Sequence, residues 1–190
     1  MQHLLLWVRK KAGRLSNLVA DIESDPLPEA TVAIGHTRWA TNGVPNDVNA
    51  HPHSSMDGRV AIIHNGIIEN ASQLRLDLQA EGYRFVSGTD TEVAAKLLGK
   101  IVDAVIAETG GPDLFEAVRR LGRMLEGAFT ILAIDCRQPG VVVGARHDSP
   151  LVVGLGEGEN YLGSDVAAFV AYTRTAMEID QDQAVMISAG

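Results

Sequence analysis

The sequence predicts an α+β fold in which two antiparallel sheets pack together and carry helices on their outer faces. Three observations point there. Apolar residues recur at helical spacing through much of residues 71–125. Short apolar runs of strand length then follow from Phe129 to Ile187. Tight turns such as Gln138-Pro139-Gly140 and Gly156-Glu157-Gly158 join them. With 190 residues the chain can bury one substantial core, and no repeat, low-complexity segment or internal linker divides it. Residues 1–190 therefore read as a single domain.

Taken in order, residues 3–9 read as a buried strand centred on Leu4-Leu5-Leu6-Trp7-Val8, starting abruptly at the head of the chain. Leu15, Leu18, Val19 and Ile22 share one helical face, and Asp25-Pro26-Leu27-Pro28 stops that helix. Thr31 to Ile34 begins a second strand, and residues 42–58, rich in Asn, Gly, Pro, Asp, His and Ser, form a loop. Arg59 to His64 is a strand whose unbroken apolar run implies burial on both faces. Ala71 to Glu81 is a short helix ending at Gly82. Thr89-Asp90-Thr91-Glu92 opens a long helix with Val93, Leu97, Leu98, Ile101 and Val105 inward, and Thr89 with Glu92 matches a capping box. A further helix covers Leu114 to Leu125. Strands follow at Phe129–Ile134, Val141–Ala145, Leu151–Leu155, Tyr161–Leu162 and Ala184–Ile187, with a short helix after Ser164-Asp165.

Composition excludes several function classes. Sixteen basic against 24 acidic residues give a net charge of -8, so there is no basic face for nucleic acid. The run Arg9-Lys10-Lys11 with Arg14 reads as a solvated strand end. No apolar run reaches the ~20 residues that span a bilayer, and Leu4–Val8 is too short for a signal core. One cysteine, Cys136, forbids an internal disulfide and suits a cytoplasmic setting. At the end of its strand it reads as a small buried hydrophobe.

Three dense polar clusters interrupt these apolar segments. Arg38 follows a strand and could offer its planar fork to a carboxylate, or pair with a loop acid, the commoner use. Trp39 could close over a ligand or join the core. Asn65-Gly66 between apolar runs signals a type I′ hairpin. The same pair could instead aim an amide and a backbone N–H at a developing oxyanion, and Ile67-Ile68-Glu69-Asn70 lacks the alternation of a hairpin partner. Asp90 suits the helix dipole or a substrate ammonium. His36, His51, His53 and His64 invite a metal, but no acid or cysteine completes a recognisable set, so none is expected. Gly154-Leu155-Gly156-Glu157-Gly158 reads as a hairpin turn rather than a phosphate loop.

Together the clusters are far more specific. The order Gly35-His36-Thr37-Arg38-Trp39-Ala40-Thr41, Asn49-Ala50-His51-Pro52-His53, His64-Asn65-Gly66-Ile67-Ile68-Glu69-Asn70 and Thr89-Asp90-Thr91-Glu92 resembles the glutaminase domain of the glutamine–fructose-6-phosphate aminotransferases, class II glutamine amidotransferases. The likeness continues through Ser149-Pro150-Leu151, Gly163-Ser164-Asp165 and Gln181-Asp182-Gln183, and covers the chain from about Lys11 onward. It implies a four-layer αββα sandwich of the N-terminal-nucleophile hydrolase type. It implies that Arg38 binds the glutamine α-carboxylate, that Asp90 binds the α-ammonium, and that Asn65 and the Gly66 N–H form the oxyanion hole. Trp39 and Thr41 would belong to a loop closing over glutamine, in which Asn42 replaces a common His. No cofactor is implied. Partners would be glutamine and sugar-isomerase domains holding fructose 6-phosphate, in a homodimeric intact enzyme.

In that family an N-terminal cysteine attacks the amide. The chain begins Met1-Gln2, so the expectation is a domain lacking its opening strand and nucleophile, inactive alone and less stable than its length suggests. The alternative is a degenerate module that holds glutamine without cleaving it.

Overall fold

A computed structural model describes residues 6–38 and 43–188. Its elements run α1 (Leu15–Ser24), β1 (His53–Ser54), β2 (Val60–Gly66), α2 (Ala71–Ala80), α3 (Asp90–Thr109), α4 (Leu114–Met124), β3 (Phe129–Asp135), β4 (Val141–His147), β5 (Val152–Leu155), β6 (Asn160–Gly163), a 3-10 turn (Val166–Ala168), β7 (Ala176–Glu178) and β8 (Ala184–Ser188). They build a five-stranded sheet in the order β1-β2-β3-β4-β8 and a three-stranded sheet in the order β6-β5-β7, with every pairing antiparallel.

Alternation along the strands sorts side chains between the two faces of the large sheet. Val60, Ile62, Phe129, Ile131, Ala133, Val143 and Ala145 meet Val93, Leu97, Leu98 and Val102 of α3 and Leu114, Val118 and Leu121 of α4 in the main core. Each Val, Leu, Ile or Phe among them contributes roughly 1.5–3 kcal/mol by leaving water. Gly99 lets α3 lie close on β1, since a Cβ there would sit 2.5 Å from Ser55 Cβ. On the opposite face Leu132, Val185 and Ile187 pack against Leu151, Val153 and Leu162, forming the layer between the sheets. Gly144 makes room there for Leu132, Leu151 and Leu162. Phe169, just past the 3-10 turn, covers the outer side of the small sheet, and a Cβ at Gly154 would lie 2.6 Å from its ring.

Four expectations are corrected. Residues 6–9 of the first expected strand and residues 31–34 are not strands; residues 3–5 lie outside the described part. Trp7 is 59% exposed, and among the described residues no ladder partner holds that segment. The basic run is not a solvated strand end. Arg9 pairs with Asp21 and Asp25, Lys11 with Asp21 at 3.2 Å, and Lys10 donates to the Val48 carbonyl at 3.1 Å. These contacts tether α1, which has the expected apolar spacing yet buries none of its residues. Asn65-Gly66 is no hairpin turn, because both residues belong to β2 and pair with Thr130 and Phe129. Strand β7 gives no signal in the sequence, being an edge of three exposed residues held by β5.

Candidate glutamine site

The end of β2 organises the site. Arg59 and Ile67 exchange hydrogen bonds with β3 neighbours, through Cys136 N–H to the Arg59 carbonyl (2.9 Å) and Ile67 N–H to the Ala128 carbonyl (2.8 Å). Antiparallel ladders alternate, so the even-numbered residues of β2 turn their N–H groups to the other edge, toward β1. Strand β1 begins at His53, opposite Ile62, so toward the end of β2 imidazoles take over its work. The His64 N–H donates to His51 Nδ1 at 3.3 Å, and the His36 ring stacks on that of His51. The next N–H on that edge belongs to Gly66, beyond the reach of His53, the first residue of β1, which pairs with Ile62. Gly66 has φ +126°, and a Cβ there would overlap the Ala128 carbonyl, so the position admits only glycine. The neighbouring Asn65 side chain is exposed on the face toward the small sheet.

Asp90 is the first residue of α3 and is 7% exposed. Its Oδ2 accepts from Ile68 N–H at 3.0 Å and its Oδ1 from Thr91 N–H at 2.9 Å, which binds the helix start to the chain just beyond Gly66. Thr89 caps α3 by accepting from Glu92 N–H at 3.2 Å. The second half of the expected capping box is absent. The Glu92 carboxylate bonds Val86 N–H, Ser87 N–H and the Ser87 hydroxyl instead, and Lys96 lies 3.4 Å away. These bonds hold its carboxyl below the usual range despite burial.

Thr91 and Thr89 anchor the histidines. Thr91 Oγ1 lies 3.1 Å from His64 Nδ1 and 3.2 Å from His51 Nε2, and Thr89 Oγ1 lies 3.1 Å from His53 Nε2. The His36 and His51 rings stack at 4.3 Å. Burial, then the charges of neighbours, pushes His51 down to about 2 and His53 to about 4. His64 also falls, burial outweighing the pull of Asp90. The cluster is thus neutral near pH 7. Among the described residues no three His, Cys, Asp or Glu side chains are grouped to hold a metal ion.

Arg38 is half-buried and donates to the Gly43 carbonyl at 3.2 Å. Its charge is among those that depress His36, His51 and His53. With Lys10, Arg14, His36 and His51 it lines a cleft of about 380 Å³. Trp39, Thr41 and Asn42 lie outside the described residues. Asn65, Gly66 and Asp90 are gathered at the end of β2, and Arg38 approaches from the loop side. Cys136 is buried at the far end of β3, six residues along from Thr130, the partner of Asn65. That is roughly 20 Å of strand. Burial also pushes its thiol up.

Sequence reading missed the residues that brace this arrangement. Asn49 is buried, accepting from Gly88 N–H at 3.0 Å and donating to the Val44 carbonyl at 2.9 Å. Ser87 holds Glu92, and Thr91 meets two histidines. Asn49 and Thr91 stand within the motifs, which gave them a signal without a role; Ser87 carried none.

A family model described as "Glutamine amidotransferase domain" matches residues 20–188. The glutamine–fructose-6-phosphate aminotransferase [isomerizing] of Corynebacterium efficiens is 56% identical over 181 residues, 95% of this chain and 28% of that protein. That of Streptomyces coelicolor is 54% identical over 176 residues, covering 93% and 28%. The chain therefore spans under a third of the length of these relatives. Among solved structures, the glutamine phosphoribosylpyrophosphate amidotransferase of B. subtilis has a TM-score of 0.62 at 28% identity, over 80% of this chain and 32% of that one. The fold is thus the α+β sandwich of the N-terminal-nucleophile amidotransferases. The chain belongs to the glutamine amidotransferase domain family.

Proposed function

We propose that these residues form the glutamine-holding part of a glutamine–fructose-6-phosphate aminotransferase, the part that releases ammonia for glucosamine 6-phosphate synthesis. Arg38 takes the α-carboxylate of glutamine and Asp90 the α-ammonium. The Asn65 amide and the Gly66 N–H face the side-chain carbonyl as it becomes an oxyanion. Trp39 and Thr41 belong to the segment that closes over the ligand. Fructose 6-phosphate and the dimer contacts of the intact enzyme belong to sugar-isomerase domains beyond these 190 residues, in a cytoplasmic setting.

The Asp90 carboxylate carries this reading. It is buried and accepts two backbone N–H bonds, which fix the orientation of its carboxylate. A carboxylate offers about four lone-pair positions, which leaves capacity for an ammonium. Hydrolysis needs a thiolate at the oxyanion end, and Cys136 is at the wrong end of its strand. The described residues thus support binding, and cleavage depends on a nucleophile outside this set.

Calorimetry with glutamine and two trimmed analogues tests the assignment. Glutaramate lacks the ammonium and 4-aminobutanamide lacks the carboxylate. Each is expected to bind at least about tenfold more weakly than glutamine, the loss of one charged hydrogen-bonded contact. Asp90→Asn should narrow the gap between glutamine and glutaramate, and Arg38→Ala that between glutamine and 4-aminobutanamide. Equal affinity for all three ligands would overturn the two roles.

A further inference from the structure

We propose that Thr91 is a positioning residue: its hydroxyl joins His51, His64 and Asp90 in a one-way hydrogen-bond chain that ends on the Asp90 carboxylate and braces the strand end bearing Asn65 and Gly66. The inference rests on the glutamine-site reading above.

The direction follows from counting protons. His51 Nδ1 accepts the His64 backbone N–H. In a neutral imidazole only one nitrogen carries a proton, so in His51 it is Nε2, which donates to Thr91 Oγ1 at 3.2 Å. The Thr91 hydroxyl has one proton and two lone pairs. It touches two further groups, His64 Nδ1 at 3.1 Å and Asp90 Oδ1 at 3.4 Å. Asp90, as a carboxylate, only accepts, so the hydroxyl proton goes there. The His64 Nδ1 must then donate into the second Thr91 lone pair.

The opposite choice has a cost. Were Thr91 to donate to His64 Nδ1, the His64 proton would sit on Nε2. That atom is buried and has no hydrogen-bond partner among the described residues. A buried donor without an acceptor costs more than a bare imidazole lone pair in the same place. His64 is therefore held as the Nδ1–H tautomer, with Nε2 bare. Every bond of the set points toward Asp90, which receives Ile68 N–H, Thr91 N–H and Thr91 O–H together. Charge on that carboxylate strengthens each bond, and the same bonds fix the register of His64 beside the oxyanion donors. A threonine at this place serves as a junction; a valine of the same shape would not.

The test uses the full chain, with Thr91→Val and Thr91→Ser. Long-range proton–nitrogen NMR spectra read which imidazole nitrogen of each histidine carries its proton. The expected wild-type result is Nε2–H for His51 and Nδ1–H for His64. Thr91→Ser keeps both. Thr91→Val moves the His64 proton off Nδ1 and weakens glutamine binding about tenfold or more, while Thr91→Ser stays within about twofold of wild type. Finding His64 as the Nε2–H tautomer in the wild type overturns the proposal. So does a folded Thr91→Val protein with unchanged tautomers. If Thr91→Val does not fold, the wild-type and Thr91→Ser spectra still decide the direction. Absence of glutamine binding by the wild type would sink the functional reading while leaving the tautomer result to stand or fall separately.

Discussion

At the scale of single residues, the site depends on atoms with no room to vary. Gly66 has a left-handed φ and its α-carbon lies against the Ala128 carbonyl. Gly66→Ala should therefore destabilise the protein by about 2 kcal/mol or more in urea denaturation. The neutral histidines make a second prediction. Their folded pKa values lie below the ordinary 6.5, so between about 4 and 6.5 the unfolded chain binds more protons than the folded one. The stability they confer is complete above 6.5 and is lost as pH falls through that window. The slope is up to about 1.4 kcal/mol per pH unit for each histidine. Urea midpoints taken from pH 7 to 4 should fall steeply, and His53→Gln should flatten the fall. At this scale the sequence was most legible. Arg38, Asn65, Gly66 and Asp90 stand out as polar residues in motif order. The contact of the Thr89 hydroxyl with His53 does not, because a Thr at a helix start is already explained by capping.

Among the elements, α3 does the most. It carries Asp90, supplies the largest share of the core, and lies on β1 through the contact of Gly99 with Ser55. Gly99→Ala should cost roughly 1–3 kcal/mol by overpacking that contact. Gly122→Ala on α4 is the matched control. A Cβ there meets nothing within 4 Å, so the better helix propensity of Ala should raise stability by up to about 1 kcal/mol. Chemical denaturation of the two variants should move their midpoints in opposite directions. Helices α2 to α4 and strands β2 to β4 were legible because their apolar periodicity is the packing itself. Residues 6–9 and 31–34 were read as strands but have no partner strand among the described residues, and a strand exists only through its ladder. Strand β7 is the converse, an exposed segment made a strand by its neighbour β5.

For the whole molecule, the two sheets divide the labour. The large sheet and its helices form the stable platform, and the motif residues gather where β2 outlasts β1. Cys136 lies at the other end of β3, apart from that gathering. Purified 190-residue protein should release no glutamate from glutamine, and Cys136→Ser should leave glutamine affinity unchanged; glutamate release abolished by Cys136→Ser would contradict this placement. The most direct measurement of the central claim is a calorimetric titration of this chain with glutamine at pH 7. The account predicts saturable binding of one glutamine per chain, weakened at least about tenfold by Asp90→Asn in an otherwise folded protein. No saturable binding, or binding indifferent to Asp90, would contradict it.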